Sequence, residues 1–289
     1  MELLLSTGSV STLGPAEVFS VAREAGFDGL EYVVDNRHAG LHPTELRALA
    51  EAAGLPIRSV HAPYHRVQGW GDQVESLRRS VELARAFAAH AVTFHPPQRI
   101  MQDVDFARWI AEVNDFQGEV GGGDIVVAIE NMPKVKVWRG HRVPFATTPY
   151  RYQRRKELRA LLERHNLRLT LDTTHAAAAG ERLDRYFTRF EDRVVGIHLS
   201  NFAGDPRQEH LPPDQGDLDL AAFLQRVRAS GFCGPITLEI QPRRLVGHEE
   251  GVAGALREAV NWVRRTLAGR ETFRRTPAER QTPAPHPRR

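Results

Sequence analysis

Strand-like and helix-like stretches alternate eight times along this chain of 289 residues. The strand candidates run Leu3 to Ser6, Gly29 to Val34, Ile57 to Ala62, Ala91 to His95, Ile125 to Glu130, Arg168 to Asp172, Val194 to Leu199 and Pro235 to Ile240. Apolar periodicity predicts helices from Pro15 to Ala25, Pro43 to Ala53, Asp72 to Ala89, Asp103 to Gln117, Arg154 to His165, Leu183 to Phe190, Leu218 to Ser230 and Glu250 to Ala268. Eight strand-then-helix units favour a closed parallel (β/α)8 TIM barrel over an open doubly wound sheet. No Gly-x-Gly-x-x-Gly dinucleotide loop occurs among them.

Local punctuation agrees with that division. Gly26, Gly54 and Gly231 each stand just past a predicted helix and just before a strand, where a left-handed residue ends the turn. Pro15 and Pro43 fall near first turns, where a missing N–H costs little, and Thr44 and Asp72 are cap candidates. The length is near the ~250 residues of a single barrel. We therefore expect one domain over residues 1–270, followed by a flexible Pro/Arg-rich tail over 271–289.

A net charge of +3, partly held by Arg274, Arg275, Arg288 and Arg289 in that tail, is weak support for nucleic acid as a partner. The single Cys233 has no internal disulfide partner, the first residues lack a basic start followed by a long apolar run, and no stretch approaches the ~20 apolar residues of a membrane span. The expectation is a cytoplasmic protein without membrane function. Barrels of this kind often associate, so a homo-oligomer is compatible with the sequence.

Chemistry enters at the strand ends. His61, His95, Glu130, Asp172, His198 and Glu239 each stand where an apolar, β-branched run stops, which aims reactive groups at one rim of the sheet. Any one of Glu130, Asp172, His198 and Glu239 alone reads best as a surface or capping residue. Glu130, Asp172, His198 and Glu239 end four consecutive strands, however, and three carboxylates cannot share a dry pocket without a cation. Oxygen-rich ligands with one imidazole suit Mn²⁺, Mg²⁺, Co²⁺ or Zn²⁺. His61 and His95 serve equally as further metal ligands or as partners of substrate hydroxyls, His175 and His210 are additional candidates on the same rim, and more imidazoles move the preference toward zinc. Glu31 ends Gly29-Leu30-Glu31 and, with Arg207, is a candidate substrate contact; a structural ion pair for Glu31 and a solvated loop charge for Arg207 are the plainer readings.

The fifth strand-to-helix connection, from Asn131 to Lys156, exceeds the ~2–6 residues usual for such loops. It holds Lys134, Lys136, Arg139, Arg142, Arg151, Arg154, Arg155 and Lys156 with no acid, interleaved with Trp138, Phe145, Tyr150 and Tyr152. A lid over the barrel mouth and a phosphate-contacting surface are both compatible with that composition.

Ser59-Val60-His61-Ala62-Pro63-Tyr64, Phe94-His95-Pro96, Ile129-Glu130-Asn131, Leu171-Asp172-Thr173-Thr174-His175, Ile197-His198-Leu199, His210-Leu211-Pro212-Pro213 and Thr237-Leu238-Glu239 resemble the xylose-isomerase-like barrel superfamily over roughly residues 1–268. That superfamily includes sugar and sugar-phosphate isomerases and epimerases and the family 2 apurinic-site endonucleases. For the sugar enzymes the resemblance implies one divalent metal on Glu130, Asp172, His198 and Glu239, with Glu130 and Glu239 moving a proton across the sugar by way of an enediolate. For the endonucleases it implies three zincs acting on abasic DNA: His61 and His95 with Glu130, Asp172 and His198 with Glu239, and His175 with His210. The endonuclease pattern has an Asp where this chain has Gln208 and a glycine where it has Pro97, whereas the stretch from Glu209 to Asp219 looks more like the sugar-enzyme loop. The sugar enzyme is the favoured expectation, the zinc phosphodiesterase its alternative, and a catalytically silent binding barrel the third.

Overall fold

The structure, a computed structural model, describes residues 1–36, 42–96, 109, 111, 114, 125–133, 152, 154–204 and 208–270. Arg207, the predicted tail over 271–289, most of the predicted helix over 103–117 and most of the basic aromatic loop lie outside those residues.

Eight parallel strands close on themselves in chain order: β1 (Leu3–Ser6), β2 (Gly29–Val33), β3 (Ile57–His61), β4 (Ala91–Phe94), β5 (Val126–Glu130), β6 (Arg168–Asp172), β7 (Val194–Leu199) and β8 (Ile236–Leu238). Around them run α1 (Pro15–Ala25), α2 (Pro43–Ala53), α3 (Gln73–Phe87), α4 (Arg155–Arg164), α5 (Thr173–Ala178), α6 (Leu183–Phe190), α7 (Leu220–Ala229) and α8 (Gly251–Leu267). Trp109, Ala111 and Asn114 are also helical. β4 and β8 stop short of the apolar runs that suggested them, which leaves His95 and Glu239 one residue beyond their strands.

The helix limits follow from end chemistry. Asp72 accepts from the N–H of Glu75 at 2.9 Å and starts α3. For α2 the cap is His42 rather than Thr44: the imidazole accepts from the Thr44 N–H, while Glu45 reaches back to the His42 N–H at 2.9 Å. Gly26 and Gly54 adopt φ of +89° and +62°, the left-handed stop expected of them.

Apart from α5, whose buried residues are Thr173, Thr174, His175 and Ala176, the helices turn apolar side chains to the barrel. In α4 the buried side chains are Leu158, Leu161 and Leu162, at the helical spacing that puts them on one face. Full burial of such a leucine contributes about 1.5–3 kcal/mol. Phe27, Phe223 and Trp109 are buried, and Phe87 and Trp262 pack against the same core. Trp70 packs against that core too and does not line the cavity at the barrel mouth.

Alternation along the strands sends every second side chain into the barrel. Thr93 on β4 and Thr170 on β6 meet across the interior with hydroxyls 2.9 Å apart. Two residues further along their chains, on the same face, stand His95 and Asp172. Strand register then brings the rim residues level. Asp172 pairs with His198, and Leu199 pairs with Leu238, just before Glu239. Phe94 pairs with Ile129, so His95 and Glu130 follow side by side.

Candidate metal centre

Glu130 is the hub of the rim. Its carboxylate is 1% exposed and is surrounded by four imidazoles. His61 Nε2 and His95 Nε2 lie 3.1 and 3.0 Å from Oε2, while His175 Nδ1 and His198 Nδ1 lie 2.8 and 3.6 Å from Oε1. His198 Nδ1 is also 3.0 Å from Glu239 Oε2, and its other nitrogen is 3.0 Å from Glu31 Oε1.

The backbone around this hub is clamped. Asn131 donates through Nδ2 to the Asp172 carbonyl at 2.9 Å and accepts from the Asp172 N–H at 2.8 Å. Asp172 caps α5 by accepting from the His175 N–H, which fixes the first turn after β6 and carries His175 to the same rim. His210 adopts φ of +48° and places Nδ1 3.1 Å from the Ser200 hydroxyl, with its ring 5.2 Å from that of His175. All eight strand-end and loop residues expected to bind metal or substrate are thus brought together, and Glu31 stands behind His198.

Their donor atoms fall into three groups, each with members within 4.8 Å of one another: His61, His95 and Glu130; Asp172, His175 and His210; and Glu130, Asp172, His198 and Glu239. Gln208, at the position of the missing acid, turns away and accepts from Arg244 at 2.8 Å. Asp172 occupies the carboxylate place in that second group instead.

Two observations fit these groups to a divalent cation. Among the described residues, Glu130 Oε1, Asp172 Oδ2, His198 Nδ1 and Glu239 Oε2 are buried and make no hydrogen bond, although His198 Nδ1 and Glu239 Oε2 are only 3.0 Å apart. Buried polar atoms left without partners are costly, and a cation held among these four would offset that cost. His61 supplies the second. Its Nδ1 donates to the Ala62 carbonyl at 2.7 Å, so Nε2 turns toward Glu130, where either a proton or a cation must separate lone pair from carboxylate.

Without a cation the rings take that role by protonation. Burial opposes the charged form of His175, yet Asp172 and Glu130 push its pKa up to about 10. Burial likewise works against His198, but Glu31, Glu130 and Glu239 hold its pKa well above the usual range. His61 is raised because Glu130 outweighs its burial, whereas burial prevails at His95 and lowers it. Burial would raise Glu130, but His95, His198 and His175 hold it well below the ordinary carboxylate value. Asp172 is raised, chiefly by burial.

A cavity of about 290 Å³ opens above the hub. His61, His95, His175, His210 and Glu239 line it, with Tyr64 and Gln241 as further walls. Glu130 does not line it. Tyr64, 41% exposed with its ring 6.0 Å from that of His61, and Asn131 were not singled out from the sequence. Their signal was adjacency, since each follows an expected ligand within three residues.

Residues 19–266 match the family described as the xylose isomerase-like TIM barrel. The chain belongs to that family. A Mycobacterium tuberculosis protein of uncharacterized function is 30% identical over 256 residues, covering 82% of this chain and 87% of its own length. The 3-dehydroshikimate dehydratase of Pseudomonas aeruginosa is 25% identical over 260 residues, which are 83% of this chain and 38% of that longer protein. Among solved structures, an L-ribulose 3-epimerase superposes with a TM-score of 0.68 at 14% identity, covering 93% of this chain and 95% of that one. The fold is thus shared with an epimerase, and the sequence similarity reaches part of a dehydratase. Among the described residues no helix is long and apolar enough to cross a membrane.

Proposed function

We propose that this barrel is a divalent-metal-dependent isomerase or epimerase of a sugar or sugar phosphate, acting by proton transfer at a carbon next to a carbonyl. The observation that carries the reading is Glu239: its side chain is 30% exposed on the cavity wall while its Oε2 stays 3.0 Å from His198 in the ligand group. A carboxylate so placed touches both the centre and whatever fills the cavity, which is the position of a general base.

Glu130, Asp172, His198 and Glu239 would hold the cation. When bound, it supplies Lewis-acid polarisation of the substrate's oxygens, which makes the neighbouring C–H more acidic. Of the expected acid/base pair, Glu239 reaches substrate directly and contributes ~10²–10⁴-fold by taking the proton. Glu130, enclosed by imidazoles, holds the centre from below. His175 and His210 line the cavity beside Glu239 and present ring N–H groups to hydroxyls. The epimerase and dehydratase relatives support a proton-transfer reading, since both names describe chemistry at carbon.

A second reading has one observation in its favour. The three donor groups share Glu130 and Asp172, and such sharing suits several ions at once, as in the zinc phosphodiesterase alternative on abasic DNA. Protein loaded with Mn²⁺ is incubated in D₂O with a panel of ketoses, aldoses and their phosphates. Deuterium uptake at carbon that vanishes in Glu239→Gln is the expected result. Absence of exchange together with nicking of an abasic duplex by zinc-loaded protein would transfer the assignment to the nuclease, and silence in both with no bound ion to a binding barrel.

A further inference from the structure

The proposed chemistry leaves one buried acid without a task. Glu31, on β2, is 2% exposed and lies inside the barrel rather than on the cavity wall. One oxygen, Oε2, accepts from the Ser59 hydroxyl at 2.9 Å. The other, Oε1, stands 3.0 Å from His198 Nε2, within ion-pair range, and neither of these two buried atoms has a hydrogen bond elsewhere among the described residues. A carboxylate at that depth is costly unless a positive or proton-bearing group offsets it.

His198 has the complementary need. Its ring is 1% exposed, and its two nitrogens face opposite acids: Nδ1 toward Glu239 and Glu130, Nε2 toward Glu31. Only Nδ1 lies with the ligand group, so Nε2 is the atom left to carry the ring proton. An imidazole that binds a cation through one nitrogen characteristically gives the other N–H to a carboxylate, which fixes the tautomer and strengthens the ligand.

We propose that Glu31 is a positioning residue for the metal centre and not a substrate contact: with Ser59 behind it, it holds His198 as the tautomer protonated on Nε2 and keeps Nδ1 turned to the ion. This deepens the metal-centre reading and rests on it. Glu31 makes no contact with substrate in this role. Its influence passes through His198 alone.

Zn²⁺ affinity of the full chain, measured by competition against a chelating dye, tests the assignment without any activity assay. Glu31→Gln, which keeps the shape and removes the charge, is expected to weaken Zn²⁺ binding about 10–100-fold. Ser59→Ala, which leaves the carboxylate but frees one oxygen, is expected to weaken it less. Glu31→Gln that binds Zn²⁺ as tightly as wild type would overturn the role of Glu31 while leaving the centre intact. Wild-type protein that fails to bind Zn²⁺ would overturn both. Should Glu31→Gln not fold, ¹⁵N spectra of the zinc-loaded wild type decide the matter: a proton on Nε2 of His198 is expected, and a proton on Nδ1 refutes the proposal.

Discussion

Asn131 and Asp172 hold each other's backbones across the gap between β5 and β6, with the carboxamide of Asn131 bonding both the carbonyl and the N–H of Asp172 at 2.9 and 2.8 Å. Side chains on the two strands are thereby fixed relative to each other before any ligand arrives. Asn131→Ala leaves a buried donor and acceptor unpaired, each costing ~1–3 kcal/mol. We expect a lower urea midpoint and weaker Zn²⁺ binding together. Unchanged stability would show that Asp172 is held by its strand alone.

Glu239→Gln separates the two duties assigned to that side chain. Its amide can still accept through oxygen but no longer takes a proton, so exchange at carbon should fall by ~10²–10⁴-fold. One ion should still bind through Glu130, Asp172 and His198, with reduced affinity. Metal content by mass spectrometry and D₂O exchange by NMR read these separately.

Metal loading should be proton-linked. In the ion-free protein His198, raised well above its ordinary value, carries an extra proton at neutral pH and must release it to become a ligand, and a cation beside Glu130 also disfavours the extra proton on His175, raised to about 10. Affinity for Zn²⁺ therefore rises between pH 6 and pH 8, and calorimetry in two buffers of different ionisation enthalpy should register released protons. The stability of the ion-free protein runs the other way. A raised histidine contributes fully below its unfolded value of 6.5, and the contribution fades as pH climbs through about 10. Thermal unfolding from pH 6.5 to 10 should therefore show the ion-free form losing stability that the loaded form keeps.

Gly216 closes the loop that presents His210. Its φ is +127°, and a Cβ there would stand 2.6 Å from Asn201 Oδ1. That same oxygen accepts from the Phe202 and Leu218 N–H groups at 2.8 and 3.0 Å. Gly216→Ala is expected to destabilise by more than about 1 kcal/mol and to disorder His210, visible as a lost imidazole signal in NMR.

The barrel was legible because eight apolar runs and eight amphipathic stretches leave little else to build, and the strand-end acids were legible because the reactive residue always closed the run. His95 and Glu239 were found although they lie just past their strands, since alternation carries the same face one step further. What stayed hidden depended on distance across the ring. Glu31 stands in the middle of β2, with Tyr32 and Val33 after it, and only the closed barrel reveals that its oxygen lies beside His198 rather than in the cavity. Gln208 stood out as a missing acid, yet its contact with Arg244 and the turn of Asp172 into that place come from loop geometry. The cap on α2 was misassigned to Thr44 because histidine is an uncommon cap, and only the Glu45 return contact identifies it.

Glu130 is drawn on by residues from both sides of the ring: His61 and His95 come from strands before it, Asp172, His198 and Glu239 from strands after it. Neither arc, synthesised alone, contains a complete set of partners for the groups it leaves exposed. Assembly of the centre is therefore contingent on the last strand zipping against the first, and an ion held there would act as a clasp joining early and late portions of the polypeptide.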